Sequence, residues 1–437
     1  MSKPETVIPG KFKIYYMLLC LIPCLLIGFI STLRGTALIA SFIIVISMAV
    51  MWVWLFKYRS DTLILIIFIA FALRIVLAVM QTFIITLPDS SADAKVFEQL
   101  GWNVASAWNR GMPPPETPGA YLYSKLIGIV YYLTGHAPFM VLYLNVILGV
   151  LTVYFVYKLI LKISGNKKAA NTGAFIAAFY PTLNLYSAVT VRENIITFFS
   201  VLSVYCFIKW IRGGYIREII KSLLFLVIAA SLHGAVILIG GVYFFFYCFY
   251  NPQIRKWGFA NKQSFFVLLG LVIAFVLFRS ALLNKLPSDI TLLLSPEYLK
   301  SRLEPLAIGR GAYLTGYYPG SLSDIFVQTP VRIVYFLFMP FPWEVKGLAD
   351  FIGFIDALLY AVLVVCSVRG LGKLDRRGKL MYLAVLSVVF IEVVAFAWGT
   401  SNYGTAIRHR QKIVCLLIPM ASLGIASDRE AENKNGS

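Results

Sequence analysis

The sequence predicts an all-α, polytopic integral membrane protein with about twelve transmembrane helices, eleven to thirteen on looser or stricter counting. Three observations carry this reading. Of 437 residues, 59% are hydrophobic and only 14% charged, against about 45–50% and 25% in soluble domains; mean hydropathy is +0.80. Apolar runs of membrane-spanning length, ~20 residues, recur along nearly the whole chain. The short loops on one side of them are all basic. A soluble globular domain, a disordered chain and a secreted disulfide scaffold are excluded together.

Net charge is +19, from 39 Lys+Arg against 20 Asp+Glu. In a soluble protein that excess would point to nucleic acid. Here the positive-inside bias of membrane proteins accounts for it, and no nucleic-acid partner is expected. The six cysteines lie within apolar stretches without a CxxC pair, and there are three histidines. Neither a structural zinc site nor a disulfide framework is indicated.

Taken in order, the apolar runs read as spans at 15–31, 36–56, 62–87, 138–161, 170–188, 194–211, 219–232, 234–250, 263–285, 351–368, 380–399 and 411–426. The first follows Lys11 and Lys13 like a signal sequence, but no small-residue cleavage site follows and a second span comes at once. It reads as an uncleaved anchor. With the amino terminus in the cytoplasm, the inside loops receive Lys57/Arg59, Lys162/Lys167/Lys168, Arg212/Arg217/Lys221, Arg255/Lys256/Lys262 and Arg369/Lys373/Arg376/Arg377/Lys379. Both termini are then cytoplasmic. The stretch 329–347 is apolar enough to be a further span, but counting it would put the five-charge loop 369–379 outside. Its prolines and Trp343 suit a re-entrant or interfacial segment. Two long loops, 88–137 and 286–350, face outward. The chain divides into an accessory helix pair (1–60), a core (61–250) holding the first outer loop, and a C-terminal region (251–437) holding the second. No internal repeat of the transporter kind is present.

The first outer loop opens with Asp89, Ser90 and Asp93, and residues 92–109 read as a surface helix. Val96, Leu100, Val104 and Trp108 recur every four residues as one apolar stripe. Gly111, ahead of Pro113, Pro114 and Pro115, ends it with a left-handed cap. Asp93 stands in its first turn, where a carboxylate can take a proton from an incoming hydroxyl or amine. Ser90-x-x-Asp93 equally fits a capping box. Asp89, the acid nearest the preceding span, is a weaker second candidate for taking that proton. The two carboxylates could hold a divalent cation through oxygen ligands, but a pair does not specify a metal and none is assigned.

Over roughly residues 61–250 the order of features resembles the GT-C superfamily of membrane glycosyltransferases, in the branch of the protein O-mannosyltransferases and the lipid A aminoarabinose transferase. Asp93, Phe97 and Gly101 align with that branch's Asp-Glu-x-x-Tyr-x-x-x-Ala pattern, although its second acid is Ala94 here. A short hydrophobic helix, 120–135, follows, with the family's Pro-Pro weakened to Pro118-Gly119. Then come a span with Asn145 near its start, a basic turn at Gly165–Lys168, and a Tyr186-Ser187 turn with Glu193 six residues on. The resemblance implies a sugar donor on a polyprenyl phosphate or pyrophosphate and transfer on the outer face to a lipid, glycan or protein acceptor. It further implies that an acid of the first loop activates the acceptor, which gives Asp93 the general-base role.

Among other outer residues, Glu193 matches an acid of the family turn, and Thr190-x-x-Glu193 also fits a capping box. The segment 399–412 joins two spans on the side where cations are not favoured. There Arg408 and Lys412 share a helix face, and Arg410 lies between them. Arginine forks match phosphate oxygens, so these residues are candidates for the donor phosphate; anionic membrane lipids are the competing ligand. Arg192, Arg310 and Arg332 are lesser candidates for the same task. His233 sits at an outer turn, where packing or a hydrogen bond explains it. Arg74 and Glu392 are ionisable residues inside spans, hence sites by default or a mutual pair. Tyr313, Tyr317, Tyr318, Phe341 and Trp343 suit sugar stacking or a membrane interface.

Three functions fit: a glycosyltransferase using a polyprenyl-phosphate donor, a polysaccharide polymerase or ligase relying on outer arginines, and a flippase of lipid-linked sugars. Sparse mid-membrane charge and the lack of repeats count against the last. Composition and topology suit a bacterial inner (plasma) membrane.

Overall fold

The computed structural model of the chain describes residues 42–50, 53, 61–115, 122–258 and 295–435. The expected spans 15–31 and 263–285 lie outside these residues, and 36–56 is described only in part. Helices dominate; the strands among the described residues are a two-residue antiparallel pair, β1 (Tyr250–Asn251) and β2 (Lys256–Trp257). Five described helices are long and apolar enough to cross a membrane: Thr62–Phe83, Pro138–Ser164, Glu193–Gly213, Leu348–Gly370 and Arg376–Trp398. The chain folds as two compact units.

The N-terminal unit runs to Val150 and takes in Asn184–Val191. It contains α1 (Asp61–Phe83), α2 (Ala92–Asn109), α3 (Leu122–Thr134) and the start of α4 (Pro138–Ser164). Helix α2 ends as its sequence predicts, with Gly111 at φ 68°. Its packed face differs from the predicted stripe. Of that stripe Val104 is buried but Val96 is 44% exposed, and Phe97 and Ala105, outside it, are buried. The reason is close approach to α3. A Cβ on Gly128 would lie 2.6 Å from Val104 Cγ1, and one on Gly101 would run into Ile127. Small residues at the crossing, rather than the largest apolar ones, therefore select the contact face. Phe97 meets Tyr123 edge-on at 5.4 Å beside it.

The C-terminal unit comprises Leu151–Leu183 and everything from Arg192. The expected span 170–188 is two helices, α5 (Lys167–Phe179) and α6 (Pro181–Ser187). Pro181 lacks an N–H and forces Tyr180 out of the helical region, to ψ 120°. Then follow α7 (Glu193–Gly213), α8 (Ile216–Leu232), a 3₁₀ turn and α9 (Ile239–Phe249). Buried hydroxyls join these helices: Ser203 Oγ donates to the Ser222 carbonyl at 2.7 Å, and Ser222 Oγ and Tyr247 share a 2.6 Å bond. The remaining helices are α10 (Pro296–Leu303), α11 (Leu322–Phe338), α12 (Leu348–Gly370), α13 (Arg376–Trp398) and α14 (Tyr403–Asn435). The segment 329–347 is the end of α11 plus a 3₁₀ turn at Pro342–Glu344. With 17 residues, α11 is shorter than the ~20 a span requires. A capping box fixes its start, where backbone and Ser321 donors hold the Asp324 carboxyl below the usual carboxylate range.

Candidate functional site

Each unit carries a polar cluster. In the N-terminal unit the chain leaves α1 in a tight turn. The Leu87 amide donates to Gln81 Oε1 at 2.7 Å, and Ser90 Oγ donates to the Leu87 carbonyl at 2.5 Å. Asp89, inside this turn, adopts φ 59°. A non-glycine residue in the left-handed region is unusual and costs energy, and such strain concentrates at functional sites. The buried Tyr186 hydroxyl donates to Asp89 Oδ2 at 2.6 Å. The Tyr186-Ser187 turn is itself anchored by Asn145, whose Nδ2 donates to the Val189 carbonyl at 3.0 Å and to the Tyr123 hydroxyl at 3.3 Å. Motifs that stand in series along the sequence thus meet in one cluster. Arg74 is buried beside it: its Nη1 donates to the Ala70 carbonyl at 3.0 Å, and a Cβ on Gly149 would fall 2.9 Å from its Nε.

Asp93 is exposed in the first turn of α2. The capping residue there is Ser91, without a side-chain capping bond, so the box suggested by Ser90 and Asp93 does not form. Nor does one form at Glu193: the capping residue is Arg192, also without such a bond.

In the C-terminal unit Glu193 is buried, with Oε1 3.7 Å from Lys412 Nζ. Lys412 is wholly buried and also lies 5.4 Å from the Phe396 ring centre. Glu392, expected as a partner for Arg74, instead has Lys412 as its charged neighbour. His409 shares a 3.1 Å bond with Thr400 Oγ1, and its ring lies 4.5 Å from Phe396 and 5.1 Å from His233. Arg192 and Arg408 are half-buried. Both charges act on His409 and Lys412, and Arg192 Nη1 donates to the Leu232 carbonyl at 3.1 Å. Arg192, Arg408 and Lys412 therefore form one cationic group.

Arg410 is not part of it. It is 1% exposed, and Nη1 donates to the carbonyls of Leu337 and Met339 at 2.8 Å and of Phe336 at 3.3 Å. Its Nη2 lies 3.1 Å from Asp356 Oδ2, while Thr182 Oγ1 donates to Oδ1 at 2.8 Å. The guanidinium is thus spent on closing the C-terminus of α11. Arg408 and Arg410, two positions apart, cannot share a helix face, since about 200° separates them at 3.6 residues per turn. Arg310 is likewise committed. Its Nη2 donates to Asp350 Oδ1 at 2.9 Å, an oxygen that also accepts from Tyr403 at 2.8 Å. Burial and that hydrogen bond push Tyr403 up to about 12, so it remains a donor at neutral pH. A bridge between Ala312 and Asn402 fastens the same two segments.

Sequence reasoning missed Asp356 and the partnership of Tyr186 with Asp89. A lone acid in the apolar run 351–368 was the available signal for the first. For the second there was none beyond the family turn. Among the described residues, no group of three or more His, Cys, Asp or Glu side chains gathers as a metal site.

Residues 114–296 match the model of the dolichyl-phosphate-mannose-protein mannosyltransferase family. A search of curated proteins finds no match. Among solved structures, the fold is similar to the oligosaccharyltransferase of Archaeoglobus fulgidus in its apo form, with a TM-score of 0.50 and 16% identity over 86% of this chain. The oligosaccharyltransferase AglB from the same organism, in complex with an inhibitory peptide and a dolichol-phosphate, gives 0.46 and 14% over 84%. In both cases the chain spans 52% of the other protein's length. The matched family model and the similar structures both belong to the GT-C superfamily, the one that the sequence resembles.

Proposed function

We propose that this membrane protein is a glycosyltransferase of the GT-C kind. It would take a sugar from a polyprenyl-phosphate donor and pass it to a hydroxyl or amine of a lipid-linked, polysaccharide or protein acceptor. The acceptor atom attacks the anomeric carbon, the bond to the phosphate breaks, and the lipid phosphate leaves with the electron pair. A carboxylate of the first long loop receives the acceptor's proton. The reading rests above all on the Tyr186–Asp89 bond, which ties that loop to the family's Tyr-Ser turn within one unit. It favours Asp89 as the base, oriented by Tyr186, over the exposed Asp93. Within the C-terminal unit, Arg408 and Arg192, backed by Lys412, are the candidates for binding a lipid phosphate. The basic short loops support cytoplasmic termini, an outward-facing site and a bacterial inner membrane. A polymerase or ligase relying on paired outer arginines loses Arg410, which is consumed in structure.

Purified full-length protein assayed with a polyprenyl-phosphate sugar tests this. Asp89→Asn should slow transfer by about 10²–10⁴-fold, the usual worth of general-base assistance, with Asp93→Asn much milder. A larger loss in Asp93→Asn would move the base four residues along. Near wild-type turnover in both would end the base assignment. In a deletion strain, one missing sugar decoration supports transfer, whereas loss of long chains would favour polymerisation.

A further inference from the structure

The C-terminal unit holds a second cationic centre on α11. Arg332 is wholly buried, and its guanidinium carbon lies 4.5 Å from the centre of the Trp398 ring. That indole is fixed in turn, donating its N–H to Thr329 Oγ1 at 3.0 Å. Arg332 Nη2 donates to the Tyr317 carbonyl at 2.5 Å. The planar group is therefore held on one face and at one corner. Its Nε and Nη1 have no hydrogen-bond partner, and neither do the Tyr313 hydroxyl and Gln328 Oε1. All three side chains are at least nine-tenths buried. Gln328 precedes Arg332 by one helical turn, which puts them on the same face, and Tyr313 is within electrostatic reach of Arg332. No carboxylate among the described residues pairs with Arg332, whose titratable neighbours are the uncharged phenols of Tyr313, Tyr317 and Tyr318.

A buried arginine without a counter-ion is strongly unfavourable, and orphaned donors around it add to the cost. Arg410, equally buried, shows the contrast: it has Asp356 and three carbonyls. The unmatched groups around Arg332 are complementary to one ligand chemistry. The arginine and tyrosine supply donors for an oxyanion, and the glutamine oxygen accepts from a hydroxyl beside it. We propose that Arg332, Tyr313 and Gln328 form a binding site for an oxyanion with a neighbouring hydroxyl, a phosphate or carboxylate carried on a saccharide. The site is distinct from the Arg192–Arg408–Lys412 group, and as a binding property it does not depend on the transferase reading.

The test is binding to purified full-length protein in detergent, by calorimetry and thermal shift. The probes are glucose 1-phosphate, glucuronate, farnesyl phosphate and uncharged glucose. Glucose 1-phosphate or glucuronate should bind the wild type and raise its melting temperature. Affinity should fall at least tenfold in Arg332→Gln, partly recover in Arg332→Lys, and fall severalfold in Tyr313→Phe, a variant that removes one oxygen and should fold normally. Glucose should bind no better to wild type than to Arg332→Gln. Binding of farnesyl phosphate alone, dependent on Arg332 and Tyr313, would uphold the oxyanion site but assign it to a lipid phosphate. Equal anion binding by wild type and Tyr313→Phe, or no anion binding by wild type at millimolar concentration, would overturn the proposal. Transfer loss in Asp89→Asn with anion binding intact keeps the two readings separable.

Discussion

The hydroxyl of Tyr186 donates to Asp89 Oδ2 at 2.6 Å across 97 residues of sequence. Two features make this bond more than a chance contact. Tyr186 is 1% exposed, so its hydroxyl needs a partner,. Asp89 accepts it while holding φ 59°, a conformation that costs a non-glycine residue about 1–3 kcal/mol. In Tyr186→Phe the ring stays and the orienting donor goes. A hydrogen bond to a charged group is worth roughly 1.5–3 kcal/mol, so kcat should fall about tenfold to a hundredfold. KM for the donor should stay within about twofold, because no donor contact is removed. Unchanged kcat would reduce the bond to a structural tie.

Packing of α2 on α3 sets where that loop sits, and glycine controls it. Gly128→Val puts branched carbon where a first Cβ would already lie 2.6 Å from Val104 Cγ1. Overpacking of this kind costs about 1–3 kcal/mol. The detergent-solubilised variant should melt earlier, and shortening the opposing side chain, Val104→Ala, should restore part of the loss. Gly111→Ala makes the comparison: it meets no atom within 4 Å, so its penalty is confined to the left-handed backbone. Full stability in Gly128→Val would mean that the two helices are not held at this crossing.

How much of this was readable beforehand depended on the range of the interaction. Composition and apolar run length were enough for the membrane-helix architecture, because lipid forces backbone groups into helices whatever the side chains. The end of α2 at Gly111 was legible because a left-handed glycine cap is a local signal,. The packed face of α2 was legible only in part: the four-residue recurrence rightly includes Val104 but also picks out exposed Val96 and omits buried Phe97. Both capping boxes failed likewise, since Ser-x-x-Asp and Thr-x-x-Glu patterns say nothing of what else competes for the acid. Glu193 found Lys412, more than two hundred positions away. At the site, Asp89 and Asp93 were both legible as outer-loop acids, but the sequence ranked Asp93 first, because the Tyr186 bond that favours Asp89 spans 97 residues. Arg408 and Arg410 looked equivalent in sequence and differ completely in burial commitments.

Orientation follows from accessible positions only. Ser91 and Ser301 are exposed, as is Lys168 in a basic turn, whereas Ser90 and Ser401 are buried. In a cysteine-free background, Ser91→Cys and Ser301→Cys should react with an impermeant thiol reagent added to whole cells, and Lys168→Cys only after lysis. Labelling of Lys168→Cys in intact cells, with Ser91→Cys protected, would invert the topology and put the Asp89 cluster in the cytoplasm. Every outer-face assignment would fall with it.

The neighbouring arginines of α14 should separate cleanly into fold and function. Arg410 closes α11 through the carbonyls of Phe336, Leu337 and Met339 and pairs with the buried Asp356. Removing one partner of a buried ion pair costs about 3–5 kcal/mol, because the other is left uncompensated. Arg410→Ala should therefore melt well below wild type. Arg410→Lys should recover little, since one ammonium cannot replace a planar group serving three carbonyls and a carboxylate. Asp356→Asn should lose stability as well, and combining it with Arg410→Met should cost less than the sum of the two, the signature of a coupled pair. Arg408 is half-buried and shares its field with Arg192 and Lys412. Arg408→Ala should leave the melting temperature near wild type and weaken binding of a polyprenyl-phosphate ligand. The loss of one charged hydrogen bond is worth roughly 1.5–3 kcal/mol, or about tenfold to a hundredfold in Kd. If Arg408→Ala binds the lipid phosphate as wild type does while folded Arg410→Ala does not, the donor phosphate belongs with Arg410 and its buried commitments are not what they look to be.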